Sequence, residues 1–213
     1  MFDIATDELI CRILTLVIAF TVHEFAHAWV ADYLGDYTAK AAGRLTLNPL
    51  VHLDIFGSLL LIVAGFGWAR AVPINPDLLK QRSRYGVLWV SLAGPMSNLV
   101  LAAISGLFLR LGLVELAMPT GMLPTLGEFL YVFCYINIIL AVFNLIPLPP
   151  LDGEKILSSL LPESAQQAFA KFRPIASMIL FALVIFGSRV GFDVLGWILT
   201  PAADSLSLIF TGV

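Results

Sequence analysis

Two imidazoles and a carboxylate stand close together near the start of the chain: His23, Glu24 and His27, in the order H-E-F-A-H. On a helix, a separation of four places both imidazoles on one face about one turn apart, so that two ring nitrogens can reach one metal ion. Zinc accepts neutral imidazole at about 2.0–2.1 Å, and a glutamate beside it can take a proton from a water. The chemistry predicted is metal-assisted hydrolysis, with His23 and His27 as ligands and Glu24 as the base. A catalytic zinc usually has three protein ligands and one position for water or substrate, so a further ligand must come from elsewhere. The remaining histidine, His52, and the acids Asp54, Glu128, Asp152 and Asp193 are the candidates. Asp152 is favoured. Pro147, Pro149 and Pro150 keep the chain before it out of a helix and let a carboxylate turn back toward its neighbours. The competing reading makes Asp152 the N-cap of a helix that starts at Gly153.

The elements that must position these groups are set by composition. Of 213 residues, 59% are hydrophobic and 13% charged, and the mean hydropathy is +0.93, well outside the soluble range. The chain is expected to be an all-α polytopic membrane protein, a single membrane-embedded domain over residues 1–213. Apolar stretches at about 9–33, 86–111 and 126–146 are long enough to cross a hydrocarbon core of about 30 Å. Two more are expected at 175–186 and 190–210, giving about five spans joined by short extended connections. The run from Ile55 to Gly67 is too short for a crossing and reads as re-entrant or interfacial. The segment ARAVPINPDLLKQRSRY, with its two prolines, reads as an extended connection. Burial of an ionisable trio such as His23, Glu24 and His27 inside a span is costly, which marks it as functional rather than incidental.

Net charge of −3 leaves no basic surface for nucleic acid. Cys11 and Cys134, each inside an apolar stretch, read as packing residues. If the run after Ile55 does not cross, residues 32–84 and 152–173 share one side and carry nine basic residues, against Arg12, Arg110 and Arg189 on the other. The bias toward cytoplasmic Lys and Arg then puts the N-terminus outside and both His27 and Asp152 near the cytoplasmic face.

Three motifs in order resemble those of the site-2 protease family of intramembrane zinc metalloproteases, peptidase family M50. HEFAH at 23–27 matches its H-E-x-x-H, Gly94-Pro95-Met96-Ser97-Asn98 its G-P-x-x-N, and residues 144–153 its N-x-x-P-x-P-x-L-D-G. The family's LDG is often followed by Gly-Arg, where this chain has Glu154-Lys155. The resemblance implies one zinc per chain with Asp152 as third ligand and Glu24 activating the water. It also implies that Asn98 positions substrate or stabilises the reacting carbonyl. No PDZ or CBS segment fits in the sequence, so a minimal form is expected. Implied too are a prokaryotic cell-membrane location, a transmembrane protein as substrate, and a site within the bilayer nearer the cytosol. His52 and Asn144 are further candidates for groups that support the ligands, although a connecting loop makes solvation or pairing the simpler reading for His52. Asn137 reads as an interhelical hydrogen-bonding residue. A metal transporter, or an inactive homologue that only binds membrane partners, is the competing function. The lack of an internal repeat and the intact Glu24 count against these.

Overall fold

A computed structural model describes residues 5–57, 67–117, 123–187, 191 and 193–213. Five of its helices are long and apolar enough to cross a membrane: α1 (Thr6–Tyr33), α4 (Gly86–Arg110), α5 (Leu126–Leu145), α7 (Glu163–Phe186) and α8 (Val194–Thr211). Among the described residues they are joined by the short helices α2 (Thr38–Ala41), α3 (Pro76–Arg82) and α6 (Asp152–Leu160), together with a 3-10 turn at Pro49–Val51. No β-strand occurs among the described residues, where the extended pairing is a single antiparallel bridge between Leu53 and Ala69. The chain is an all-α, multi-pass membrane protein. The expected re-entrant run lies outside the described residues over 58–66, as does Arg189.

The first span illustrates how the sequence sets its elements. Its 28 residues rise about 42 Å at 1.5 Å each, more than a hydrocarbon core needs. Asp7 and Glu8 lie in the first turn, where acids complement the helix dipole. It ends where Gly35 takes a left-handed φ of 88° and donates its N–H to the Asp32 carbonyl. Inward positions are small or polar: Cys11, Ala19, Ala28 and Ala31 are fully buried, as are Ala102 on α4 and Cys134 and Ala141 on α5. Small side chains let helices approach closely in a bilayer, where apolar packing against lipid gives no preference of its own. Trp29, Trp89, Val100 and Ile104 face outward, as lipid-facing positions should. Helices α1, α4 and α5 form the central group, α8 packs on α4 and α5, and α7 meets chiefly α6 and α8.

Two boundaries differ from those read off hydropathy. The connection after Arg70 is extended only to Asn75. There the Asn75 side chain accepts the N–H groups of Asp77 and Leu78 at 3.0 and 3.3 Å, and α3 starts with Pro76 in its first position. The polar stretch before residue 175 is helical as well. Glu163 to Phe172 is rich in helix formers and extends α7 beyond its apolar part.

Candidate metal centre

Helix pitch puts His23 and His27 one turn apart on the inner face of α1, with ring centroids 4.6 Å apart and the rings nearly perpendicular. Both are 7% exposed. Their Nε2 atoms are 3.0 Å apart. Asp152 comes from the other end of the chain, and its Oδ2 lies 3.1 Å from each of those nitrogens. The helix that follows is capped at Leu151 with no side-chain hydrogen bond, so the Asp152 carboxylate is not spent as an N-cap. Proline-held backbone after α5 is what aims it inward.

The outer ring nitrogens are also accounted for. His27 Nδ1 donates to the Val90 carbonyl of α4 at 2.6 Å. A carbonyl can only accept, so the proton of the neutral ring sits on Nδ1 and the Nε2 lone pair is bare. His23 Nδ1 donates to Asn98 Oδ1 at 2.6 Å, with the same result. Three acceptor atoms, two imidazole nitrogens and a carboxylate oxygen, therefore face one another in a buried space. Such a set repels itself unless a cation stands among them, and the N,N,O composition and mutual spacing suit zinc. Asp152 Oδ1 faces Lys155 Nζ at 3.1 Å. Glu154, the other departure after LDG, is buried and paired with Arg173 of α7 at 2.7 Å.

Gly94 brings α4 against this centre. A Cβ there would lie 2.5 Å from Nε2 of both histidines, so only glycine leaves the space free. Glu24, 7% exposed, accepts the Val72 N–H at Oε2, 2.8 Å away. That N–H belongs to an extended strap over residues 67–75, which is held along its length. The Arg70 N–H donates to the His52 carbonyl at 2.8 Å, and the Arg70 carbonyl accepts from the Arg44 guanidinium. The Asn75 N–H donates to Asp36 Oδ2 at 2.6 Å. Arg44 is buried, and its pKa is lowered by desolvation, against Glu24 and with Arg70. A cavity of about 1090 Å³ runs from the metal centre past Asn144, Tyr135 and Leu199, comparable to the larger ligand sites of proteins.

The other sequence candidates fall in different places. Asn98 is fully buried and both its polar atoms are engaged, Oδ1 by His23 and Nδ2 by Asn137 at 2.8 Å. It stands behind the imidazole. His52 is buried rather than solvated, because the loop folds inward to hold the strap, and its Nε2 donates to the Thr46 carbonyl at 2.8 Å. Asn144 lines the cavity and bonds the Leu140 carbonyl of its own helix at 2.9 Å. Asp54 and Asp193 cap local turns through Gly57 and Gly196, and Glu128 lies in the first turn of α5. As partners of Glu24, His27 and the strap, respectively, Val72, Val90 and Arg44 are not legible in the sequence. The first two act through main-chain groups, which leave no side-chain signal, and Arg44 reads in sequence as an ordinary loop cation.

Comparison with known proteins bears on the family of the chain. Residues 112–187 match Peptidase family M50. A Bacillus subtilis protein, YwhC, named as a candidate zinc metalloprotease, is 43% identical over 94% of this chain and 91% of its own length. Rip2 of Mycolicibacterium smegmatis, named in the same way, is 31% identical over 92% of this chain and 75% of its own. MJ0611 of Methanocaldococcus jannaschii is 34% identical over 65% and 64%. No solved structure matches the chain. Its motifs, its donor set and these relatives together place the chain in peptidase family M50, the site-2 protease family of zinc metalloproteases.

Proposed function

We propose that the protein is an intramembrane zinc metalloprotease that hydrolyses peptide bonds within or near the transmembrane segments of other membrane proteins. The observation that carries this reading is the convergence of His23 Nε2, His27 Nε2 and Asp152 Oδ2 to 3.0–3.1 Å of one another beside Glu24, among helices that can span a bilayer. Those three atoms would hold one zinc ion, which when bound polarises a carbonyl and makes a water acidic near neutral pH. Glu24 takes a proton from the attacking water as the C–O bond forms, then delivers it to the amine nitrogen as the C–N bond breaks. The Val72 N–H holds the Glu24 carboxylate in place for both transfers.

A transmembrane helix hides its carbonyls in its own hydrogen bonds, so the substrate must unwind locally before it can be cut. The strap around Val72 to Ile74 offers an extended edge beside the cavity, against which an unwound segment can pair. The sequence is read as a single catalytic domain. The excess of Lys and Arg on the side of α3 and α6 supports an orientation with the centre toward the cytoplasm, and the bacterial and archaeal relatives support a prokaryotic cell membrane as the location.

Co-expression with candidate single-span substrates tests the reading. Wild-type protein is expected to cleave and to carry zinc, and Glu24→Gln to keep zinc and lose cleavage. Equal cleavage by Glu24→Gln refutes the assignment of Glu24, and metal flux into vesicles without cleavage in either form favours transport. External labelling of Lys80→Cys in intact cells would reverse the orientation.

A further inference from the structure

The two histidines present bare Nε2 atoms for different reasons. His27 is fixed by a main-chain carbonyl, that of Val90, which has no second orientation. His23 is fixed by the side-chain amide of Asn98, and an amide can turn over, exchanging its oxygen for its nitrogen in nearly the same volume. With Asn98 turned, its NH₂ would face His23 Nδ1, which would then have to accept. The ring proton would move to Nε2, and a protonated Nε2 cannot ligate a metal. Something must hold the amide the right way round.

We infer that Asn137 is a positioning residue that sets the tautomer of His23 through Asn98. This rests on the reading of His23 as a metal ligand. The polarity is anchored one turn back on α5, where Asn137 Nδ2 donates to the Phe133 carbonyl at 2.8 Å. That carbonyl can only accept, so Asn137 must direct its NH₂ there and its Oδ1 toward α4. Oδ1 in turn accepts Asn98 Nδ2 at 2.8 Å, which leaves Asn98 Oδ1 for His23 Nδ1 at 2.6 Å. Every link runs in one direction, from the backbone of α5 through α4 to the ligand on α1. Asn98 and Asn137 are both fully buried, so water does not compete for the links. Three helices thus share one chain of hydrogen bonds whose direction is decided at a main-chain oxygen. Outer groups of this kind fix the orientation and basicity of metal-bound histidine.

A plain structural role, as an amide that ties α5 to α4, predicts a loss of stability without a change in metal affinity. Zinc affinity separates the two. Full-length protein in detergent is titrated with zinc against a competing chelator, and the unfolding temperature of the zinc-free form is recorded beside it. Asn137→Leu and Asn137→Ala each remove the amide and are expected to weaken zinc binding about 10- to 100-fold. Asn137→Ser is expected to recover most of it, because a helical serine hydroxyl can donate to the carbonyl one turn back and accept from Asn98. In an Asn98→Ala background, Asn137→Leu should add almost nothing, since the relay is already cut. Leu and Ala variants that bind zinc within about twofold of wild type, or a full Asn137→Leu penalty that persists without Asn98, would overturn the proposal. His23→Ala is measured in the same series. If it binds zinc like wild type, the metal-site reading fails and takes this proposal with it. If it loses zinc while the Asn137 variants do not, only the role of Asn137 is refuted.

Discussion

Gly94→Ala is the smallest change that should empty the metal centre. The new methyl carbon would lie 2.5 Å from His23 Nε2, 2.5 Å from His27 Nε2 and 2.6 Å from His23 Cε1, whereas ordinary contact begins at 3.4 Å. Both rings would have to withdraw by roughly 1 Å, which stretches a zinc–nitrogen bond of about 2.0–2.1 Å beyond any useful overlap. A carbon that close to both nitrogens also stands in the space where a shared ion must sit. With two of three protein ligands weakened, zinc affinity should fall by at least about 1000-fold, roughly 4 kcal/mol. The fold itself should survive. Alanine is favoured over glycine inside a helix by about 0.8–1.0 kcal/mol, and the displaced rings can swing into the adjoining cavity. The assay is zinc content and chelator competition on purified protein, with cleavage of a co-expressed substrate and the unfolding temperature of the zinc-free form. Folded, zinc-poor and inactive protein is expected. A Gly94→Ala variant that purifies with one zinc per chain and wild-type affinity would refute the close approach of α4 and the ligand geometry built on it.

Lys155→Met removes the cation that occupies Asp152 Oδ1 and should weaken zinc about tenfold, while Lys155→Arg stays near wild type; equal affinity in all three forms would show that Asp152 holds its own orientation. Asp36 is fully buried and accepts from the Thr38 N–H at 3.0 Å, the Thr38 hydroxyl at 2.5 Å and the Asn75 N–H at 2.6 Å. Asp36→Ala strands those donors and should cost about 3 kcal/mol, read as a lowered unfolding temperature; no shift would mean that the loop reorganises around the loss. Val72→Pro deletes the N–H that holds Glu24. Zinc should stay bound while cleavage slows by up to about 100-fold, within the range a general base contributes, and unchanged turnover would remove Val72 from the site.

What the sequence revealed of this site, and what it hid, divides along a physical line. His23, Glu24, His27 and Asn137 were legible because polar groups are expensive inside a span, helix pitch places the first three without further information, and Asn98 was marked only by the resemblance of Gly94–Asn98 to a family motif. The five spans were legible for the same reason, since a bilayer imposes length and hydropathy directly. Hydropathy does not report where a helix stops once it leaves the apolar region, which is why the polar start of α7 at Glu163 and the whole of α3 read as connection. Nor does it say which connections fold back. Asp36, Arg44 and His52 have the sequence signature of solvated loop residues, yet each is at most 5% exposed because the loop that carries them clamps the strap against Glu24. Backbone contributions were the least legible of all. The Val90 carbonyl and the Val72 N–H would be present whatever residue stood there, so only the fold can aim them. The same holds for the Phe133 carbonyl, and it explains why Asn137 looked like a simple interhelical contact. Its identity shows in the sequence, but its direction is set by an oxygen that every residue has.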